Sequence, residues 1–273
     1  MSMALPSSPI SAKSWLIMSP RATRRVRLYC FSYAGGNAAA YMPWQTALEP
    51  DIEVCAFQLP GRGARMAEAP CTSLPALIAS ICAVLADECR HDQRPFAFFG
   101  HSLGALLAFE AIRHCVTLGL PLPQRLIVSG CDAPQHRRPS KGLHRMPDDQ
   151  LIAALARYNG SPPEVLAHRE LMDLLLPSLR ADFSLAENYT YRAAPPLAVP
   201  ITVLAGKRDS HVQPDKVGEW RAETTAACQV RWFEGNHFFI QPERDGVLEF
   251  LASELAHALA EDSPRHASGL ARR

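Results

Sequence analysis

The feature of this chain most able to do chemistry is a serine between glycines, in the pentapeptide GHSLG at residues 100–104. The preceding residues 96–99 form a short apolar run typical of a buried strand, and the Ala/Leu-rich segment that follows is typical of a helix. A serine on a tight turn between a strand and a helix holds its hydroxyl clear of the backbone, as a nucleophile must. Glycines suit such a turn because it leaves little room for side chains. In the competing interpretation, Ser102 merely caps the helix.

A nucleophilic serine needs a base, and the base needs an orienting group. Asp209 follows an apolar run at residues 200–204, and His237 follows another at residues 229–233. In open α/β sheets, functional groups gather at the carboxyl ends of strands, so Ser102, Asp209 and His237 are predicted to share one crevice. His237 would be the base, since the ordinary pKa of histidine is near neutrality. Asp209 would fix the imidazole tautomer and stabilise the imidazolium.

Each of these assignments has a competitor. Asp132 follows the predicted strand at residues 126–129 and is an alternative acid; Asp209 is preferred because an acid in the sequence GKRD after such a strand is the commoner arrangement. Asp215 follows a proline and is predicted to begin a helix instead. His237 could be a surface histidine, although the two phenylalanines after it could seat its ring.

Hydrolysis through a serine also needs donors for the developing oxyanion. The backbone N–H of Leu103, next to the nucleophile, is one predicted donor. The second is expected in the loop at residues 32–37 (SYAGGN), which follows the predicted strand at residues 27–31. We assign it to Ala34, with Tyr33 as the alternative, because the adjacent glycines let the backbone turn its amides inward. Alternatively, the glycines simply form a flexible turn.

Seven segments extend this pattern over most of the chain: RLYCFSYAGG, Trp44, AFQLPGRGAR, FFGHSLG, LRADF, PITVLAGKRD and GNHFFI. Together, from about residue 15 to residue 259, they resemble type II thioesterases, the stand-alone α/β-hydrolases that accompany polyketide and nonribosomal peptide synthetases. Ser32 stands where the family usually has proline. Asn236 stands where glycine is usual, and asparagine tolerates left-handed backbone geometry.

The resemblance implies a mostly parallel sheet flanked by helices, with a helical lid. It also implies a serine thioesterase that hydrolyses aberrant or stalled acyl thioesters on the 4′-phosphopantetheine arm of acyl- or peptidyl-carrier proteins. An acyl-serine would form on Ser102, and no cofactor or metal is expected beyond the pantetheine of the substrate. Two other functions stay open: a small-molecule carboxylesterase or lipase of the same fold, and a hydrolase-fold binding protein without activity.

Composition agrees with a cytoplasmic enzyme. The 273 residues favour one α/β-hydrolase domain at residues 15–261, with flexible ends at residues 1–14 and 262–273. A net charge of +1 provides no electrostatic reason to bind nucleic acid or membranes. The eight cysteines form no C-x-x-C pair, which suits a reducing compartment, and no apolar run approaches the length of a signal core or membrane span. A monomer is the default expectation.

The segment at residues 133–192 separates the two halves of the predicted core. Apolar residues at helical spacing predict helices from Asp148 and over residues 170–188, and Pro177 is expected to kink or break the second. Helices inserted between core strands are typical of a lid that excludes water and shapes an acyl pocket, or they simply pack on the core.

Two groups of basic residues are candidates for binding a carrier protein or the substrate. Arg137, Arg138 and Lys141 near the lid could meet an acidic carrier protein or the pantetheine phosphate, although charged loops are usually only solvated. Arg62 and Arg65 follow the predicted strand ending at residue 57, and they could anchor their own loop or contact substrate.

Overall fold

The computed structural model describes residues 12–21, 23–137, 141–158 and 160–267. Within them, one sheet has the strand order β1-β3-β2-β4-β5-β6-β7, and every neighbouring pair is parallel except β1 with β3. The strands are β1 (Leu16–Met18), β2 (Val26–Phe31), β3 (Ile52–Phe57), β4 (Phe96–His101), β5 (Leu126–Ser129), β6 (Ile201–Gly206) and β7 (Cys228–Phe233).

Helices cover both faces of this sheet, as the predicted α/β class requires. They are α1 (Ala12–Trp15), α2 (Trp44–Ala47), α3 (Leu74–His91), α4 (Leu103–Leu118), α5 (Asp148–Tyr158), α6 (Pro163–Ala167), α7 (Arg169–Glu187), α8 (Pro214–Val217) and α9 (Arg244–Ala267). Side chains alternate along a strand, so Phe98 packs in the core formed with α3 and α4, whereas Phe99 packs in the core formed with α2 and α9.

The strand order places two loops side by side at the carboxyl edge of the sheet. The chain runs outward from β2 in both directions, to β3 on one side and to β4 on the other. A crevice forms where the order reverses in this way. The register pairs Phe31 at the end of β2 with Gly100 near the end of β4, so the loop at residues 32–37 adjoins the GHSLG turn.

Helices α5, α6 and α7 lie between β5 and β6 in the chain, where the sequence predicts a lid. They have an apolar core of their own, formed by Leu143, Leu151, Ala154, Leu155, Met172, Leu176, Leu179 and Phe183. Helix α7 is continuous from Arg169 to Glu187, so the predicted break at Pro177 does not occur. One proline removes a single hydrogen bond, and the apolar face buried on both sides of it holds the helix together.

The ends of the chain depart from the sequence analysis in two details. The short antiparallel strand β1 was not predicted as a strand, because three residues carry too little periodicity to identify one. Helix α9 continues to Ala267, past residue 262, where the flexible tail was expected to begin; the rest of that tail lies outside the described residues. In the part of the chain that the structure describes, no helix is long and apolar enough to cross a membrane.

Candidate active site

Ser102 lies on the turn between β4 and α4 with φ 56° and ψ −112°, and it is the one non-glycine residue with positive φ in the described chain. Its N–H donates to the carbonyl of Ser129 at 2.8 Å, which pins the turn to β5. Its side chain makes no capping hydrogen bond to α4. The interpretation of Ser102 as a simple helix cap is therefore not supported.

The two glycines of the motif make this turn possible. A Cβ on Gly100 would lie 2.1 Å from the carbonyl oxygen of Gly104. A Cβ on Gly104 would lie 1.9 Å from the carbonyl oxygen of Phe31 in β2. Both distances are far below van der Waals contact, so any side chain at either position would push α4 away from the sheet.

Three side chains predicted to act together lie in one hydrogen-bonded line. The hydroxyl of Ser102 lies 3.1 Å from Nε2 of His237, and Nδ1 of His237 lies 2.8 Å from a carboxylate oxygen of Asp209. The carboxylate accepts, so Nδ1 carries the proton and Nε2 is free to accept the proton of the serine. The other oxygen of Asp209 accepts the N–H of His211 at 2.8 Å. This is the geometry of a nucleophile, a base and an orienting acid.

The alternative acid faces a different partner. Asp132 is buried near the same crevice, and its two oxygens accept from the backbone N–H of Gln213 at 2.7 Å and from the side-chain amide of Gln213 at 3.2 Å. Among the described residues it makes no hydrogen bond to His237. Asp215 lies on α8 with 76% of its side chain exposed, as its predicted place in a helix suggests.

The loop that carries His237 keeps its shape without a left-handed asparagine. Gly235 has φ 107°, whereas Asn236 has no positive φ. The side-chain oxygen of Asn236 instead accepts the N–H of Phe238 at 3.1 Å, a local turn that asparagine favours. The ring of Phe238 meets the ring of His237 edge-on at 5.2 Å, as expected for a residue that seats the imidazole.

His101 is a member of this site that the sequence analysis did not identify. It is fully buried, its ring lies 5.1 Å from that of His237, and its Nδ1 lies 2.9 Å from the hydroxyl of Ser129. Burial, together with positive charge on His237, lowers the pKa of His101 well below its ordinary value. A neutral ring therefore lies beside the imidazole of His237. Its position within GHSLG was the one available signal.

The two residues predicted to donate to the oxyanion, Leu103 and Ala34, line the same cavity as Ser102. Leu103 is the first residue of α4, so its N–H has no acceptor within the helix. Ala34 lies on the turn after β2, closed by a 2.8 Å hydrogen bond from the N–H of Gly36 to the carbonyl of Tyr33. Within the described chain, neither the N–H of Ala34 nor that of Leu103 has an acceptor, so both are available to a ligand.

Two cavities meet at Ser102, a polar cavity lined in part by charged side chains and an apolar cavity lined in part by aliphatic side chains of the lid. One, of about 150 Å³, includes polar walls formed by Asp132, Arg137, Lys141, Glu187 and His211. The other, of about 140 Å³, has apolar walls from the lid and its neighbours, formed by Leu155, Val165, Leu166, Met172, Leu175, Leu179 and Phe238. Ser102, His237 and Ala34 line both, as do Tyr158 and Phe183.

The basic residues singled out from the sequence divide between these surroundings. Arg62 is 4% exposed and forms an ion pair with Asp182 of α7, and Arg65 lies 4.0 Å from the ring of Trp15. Neither arginine lines a cavity at Ser102, so both are structural in this arrangement. Arg137 and Lys141 line the polar cavity, and Arg138 lies outside the described residues. No cluster of three or more metal-binding side chains occurs in the described part of the chain.

Comparison with known proteins identifies the family to which this chain belongs. A family model for the thioesterase domain matches residues 26–255. The gramicidin S biosynthesis protein GrsT of Aneurinibacillus migulanus is 39% identical over 237 residues, which cover 86% of this chain and 91% of that protein. The type II thioesterase BorB from the borrelidin biosynthetic cluster is 36% identical, with a TM-score of 0.81 over 89% of this chain and 98% of that one.

A second solved structure leads to the same group. The thioesterase RedJ from the prodiginine pathway of Streptomyces coelicolor is 34% identical, with a TM-score of 0.79 over 93% of this chain and 91% of that one. The predicted fold and enzyme class are confirmed by these matches. The chain thus belongs to the thioesterase family of hydrolases, among the type II thioesterases with an α/β-hydrolase fold.

Proposed function

We propose that this thioesterase removes aberrant or stalled acyl groups from the phosphopantetheine arms of carrier proteins in polyketide or nonribosomal peptide synthesis. The observation that carries the proposal is the hydrogen-bonded line of Ser102, His237 and Asp209, which lies where a cavity lined by charged side chains meets one lined by aliphatic side chains of the lid. The relatives support the setting, since GrsT is named for gramicidin S biosynthesis and BorB for the borrelidin cluster.

In the first half-reaction, the hydroxyl of Ser102 attacks the thioester carbonyl while His237 takes its proton. The N–H groups of Leu103 and Ala34 stabilise the oxyanion of the tetrahedral intermediate. The carbon–sulfur bond then breaks, His237 gives the proton to the departing thiolate, and an acyl-serine remains. Asp209 stabilises the imidazolium that forms in between.

In the second half-reaction, water is the only co-reactant. The oxygen of water attacks the carbonyl carbon of the acyl-serine while His237 takes a proton from the water. The N–H groups of Leu103 and Ala34 then stabilise the second oxyanion. The bond to Ser102 breaks, the serine recovers its proton from His237, and the carboxylic acid leaves. His101, being neutral, adds no positive charge beside the imidazolium.

The two cavities suggest how the thioester is oriented. The apolar cavity of about 140 Å³ suits a short acyl group, because an apolar space of this size holds a molecule about as large as benzene. The polar cavity, with Arg137 and Lys141 on its walls, suits the pantetheine arm, whose amides and phosphate need polar partners.

We further propose that the enzyme acts as a cytoplasmic monomer and requires no cofactor. All eight cysteines are free thiols, which supports a reducing compartment. A serine mechanism draws its electrostatic stabilisation from backbone N–H groups and a histidine–aspartate pair. The partner would be the acyl- or peptidyl-carrier domain that presents the thioester.

The direct test is deacylation of a carrier protein loaded with acetyl or propionyl, followed by intact mass, with the Ser102→Ala variant in parallel. We expect loss of the acyl group with the wild type and its retention with the variant. Retention with both proteins, while a fluorophosphonate still labels Ser102, would overturn the carrier substrate and point to a small-ester hydrolase. Turnover by pure Ser102→Ala would overturn the assigned nucleophile.

A further inference from the structure

We infer that Asp182 of lid helix α7, together with Arg62, holds the oxyanion loop, defined as residues 32–37, in the conformation that directs the N–H of Ala34 toward Ser102. The two residues would be positioning residues, since neither lines a cavity at Ser102. The inference rests on the proposed function, because it assigns the Ala34 N–H its role in the reaction.

Asp182 accepts three hydrogen bonds from two parts of the core. One carboxylate oxygen accepts the backbone N–H of Gly35 at 2.7 Å and a guanidinium N–H of Arg62 at 2.6 Å. The other accepts a second N–H of Arg62 at 2.7 Å. Arg62 also donates to the carbonyl of Gly36 at 3.1 Å. Asp182 therefore holds the peptide group between residues 34 and 35 of the oxyanion loop, and Arg62 holds the one between residues 36 and 37. The N–H of the peptide group between these two donates to the carbonyl of Tyr33.

These contacts fix the orientation of the peptide groups that follow Ala34. Gly35 has φ 76°, a conformation that glycine adopts freely and could leave as freely. Its N–H is held by Asp182, and the carbonyl of Gly36 is held by Arg62. The Gly35 N–H is directed to the carboxylate of Asp182. The N–H of the preceding residue, Ala34, has no acceptor within the described chain and is therefore the donor left for an oxyanion.

The position of the pair in the fold couples the lid to the oxyanion donor. Asp182 and Arg62 are 1% and 4% exposed, so water does not compete for their hydrogen bonds. The neighbouring residues of α7, Leu179 and Phe183, line the apolar cavity. The helix that shapes the acyl pocket thus also supports the loop that stabilises the oxyanion.

Asp182→Asn is the sharpest variant, because both carboxylate oxygens accept hydrogen bonds. Whichever way the asparagine amide is oriented, its NH₂ group meets an N–H donor. The matched control is Arg180→Gln on the same helix, which breaks an ion pair with Asp148 inside the lid and leaves the oxyanion loop untouched. Thermal unfolding of each variant shows whether it is folded.

The decisive measurement compares two inhibitors of the same acyl-pantetheine shape. A trifluoromethyl ketone adds to Ser102 and places an oxyanion in the hole, whereas a thioether binds without forming one. For Asp182→Asn we expect a fall of about tenfold or more in kcat and in affinity for the ketone, with thioether affinity within about twofold of wild type. Arg180→Gln should leave the ratio of the two affinities unchanged.

Arg62→Lys is the second variant, since lysine keeps the charge but cannot bind a carboxylate through two parallel hydrogen bonds. It should lower ketone affinity in the same direction as Asp182→Asn, and it decides the question if Asp182→Asn does not fold. A folded variant of either kind with wild-type kcat and a wild-type affinity ratio would overturn the inference. Turnover is also measured on a p-nitrophenyl ester, so failure of the wild type on carrier-bound substrate would overturn the proposed function while leaving this test readable.

Discussion

At the residue scale, Ser102 combines a reactive position with a strained backbone. A φ of 56° with a ψ of −112° suits glycine and costs other residues about 1–3 kcal/mol. We therefore expect both Ser102→Ala and Ser102→Gly to abolish turnover, but Ser102→Gly to have the higher free energy of unfolding, by about 1 kcal/mol. Urea unfolding of the two variants measures the difference. If the alanine variant were the more stable, the strain would not exist in solution.

The two acids near the site can be separated by matched substitutions. Asp209→Asn should lower kcat by about four orders of magnitude, because the amide no longer holds His237 in the tautomer that accepts from Ser102. Asp132→Asn should cost less than about tenfold, since its hydrogen bonds go to Gln213 rather than to His237. Single-turnover kinetics on one thioester would decide between them. The opposite ranking would move the acid to the end of β5.

His101 should make stability depend on pH. Its pKa is lowered by burial in the folded protein, so below about pH 6.5 the unfolded chain binds a proton that the folded protein does not. This residue should therefore lower the free energy of unfolding as the pH falls through that value, by at most about 1.4 kcal/mol per pH unit. Its contribution is fully retained above that value.

The measurement is urea unfolding between pH 7 and pH 5 for the wild type, His101→Asn and His91→Asn. The first variant removes the buried titrating ring, and the second removes a ring that is 75% exposed. We expect a shallower slope for His101→Asn alone. Equal slopes for all three proteins would mean that His101 is accessible to protons in the folded state.

Which residues could be predicted from the sequence depends on whether their signal is local. Ser102, Asp209 and His237 each follow a readable strand, and parallel strands end at one edge of the sheet, so their proximity could be inferred. Their catalytic roles remain predictions. Asp182 and Arg62 lie 120 positions apart in the sequence. The residues around each of them do not indicate which side chain it will contact, so this ion pair could not be predicted. His101 lies within the GHSLG motif, but the motif does not predict a role for its imidazole.

At the scale of elements, lid helices α5, α6 and α7 line the apolar cavity. If the acyl group binds there, the lid should set the acyl chain length that the enzyme accepts. Leu175 of α7 lines the apolar cavity, whereas its neighbour Leu174 is 54% exposed. Leu175→Ala should raise kcat/KM for a hexanoyl thioester relative to a propionyl thioester by about tenfold, as expected for the space of a few methylenes. Leu174→Ala is the control and should leave the ratio unchanged. Equal ratios in both variants would place the acyl chain elsewhere.

Element prediction succeeded where a run of apolar residues marked a strand, whereas the break in α7 that a single proline suggested does not occur. The strands ending at Phe31, Phe57 and Ser129 are found where the apolar runs predict them. Pro177 was expected to kink or break α7, and the helix runs through it. Packing of a buried helix face over several turns outweighs the loss of a single hydrogen bond. A prediction based on the proline alone does not include this packing.

At the scale of the whole molecule, the balanced net charge of +1 means that any electrostatic preference for a carrier must be local. Lys141 is exposed at the wall of the polar cavity beside Ser102. If the pantetheine arm enters there, Lys141→Ala should lower kcat/KM for an acyl-carrier protein by about tenfold, because one charge-assisted contact with phosphate is lost. The kcat/KM of the variant for an N-acetylcysteamine thioester, which lacks the phosphate, should stay within about twofold of wild type.

The control is Lys216→Ala, which removes an equal charge from α8, where Lys216 pairs with Asp215. Because Lys216 lines neither cavity, this variant should leave kcat/KM unchanged for both substrates. Raising the salt concentration should reduce the advantage of wild type over Lys141→Ala on the carrier, since screening weakens an exposed ionic contact. An equal loss on both substrates would instead mean that Lys141 acts on the acyl transfer itself, and the arm would have to enter by another route.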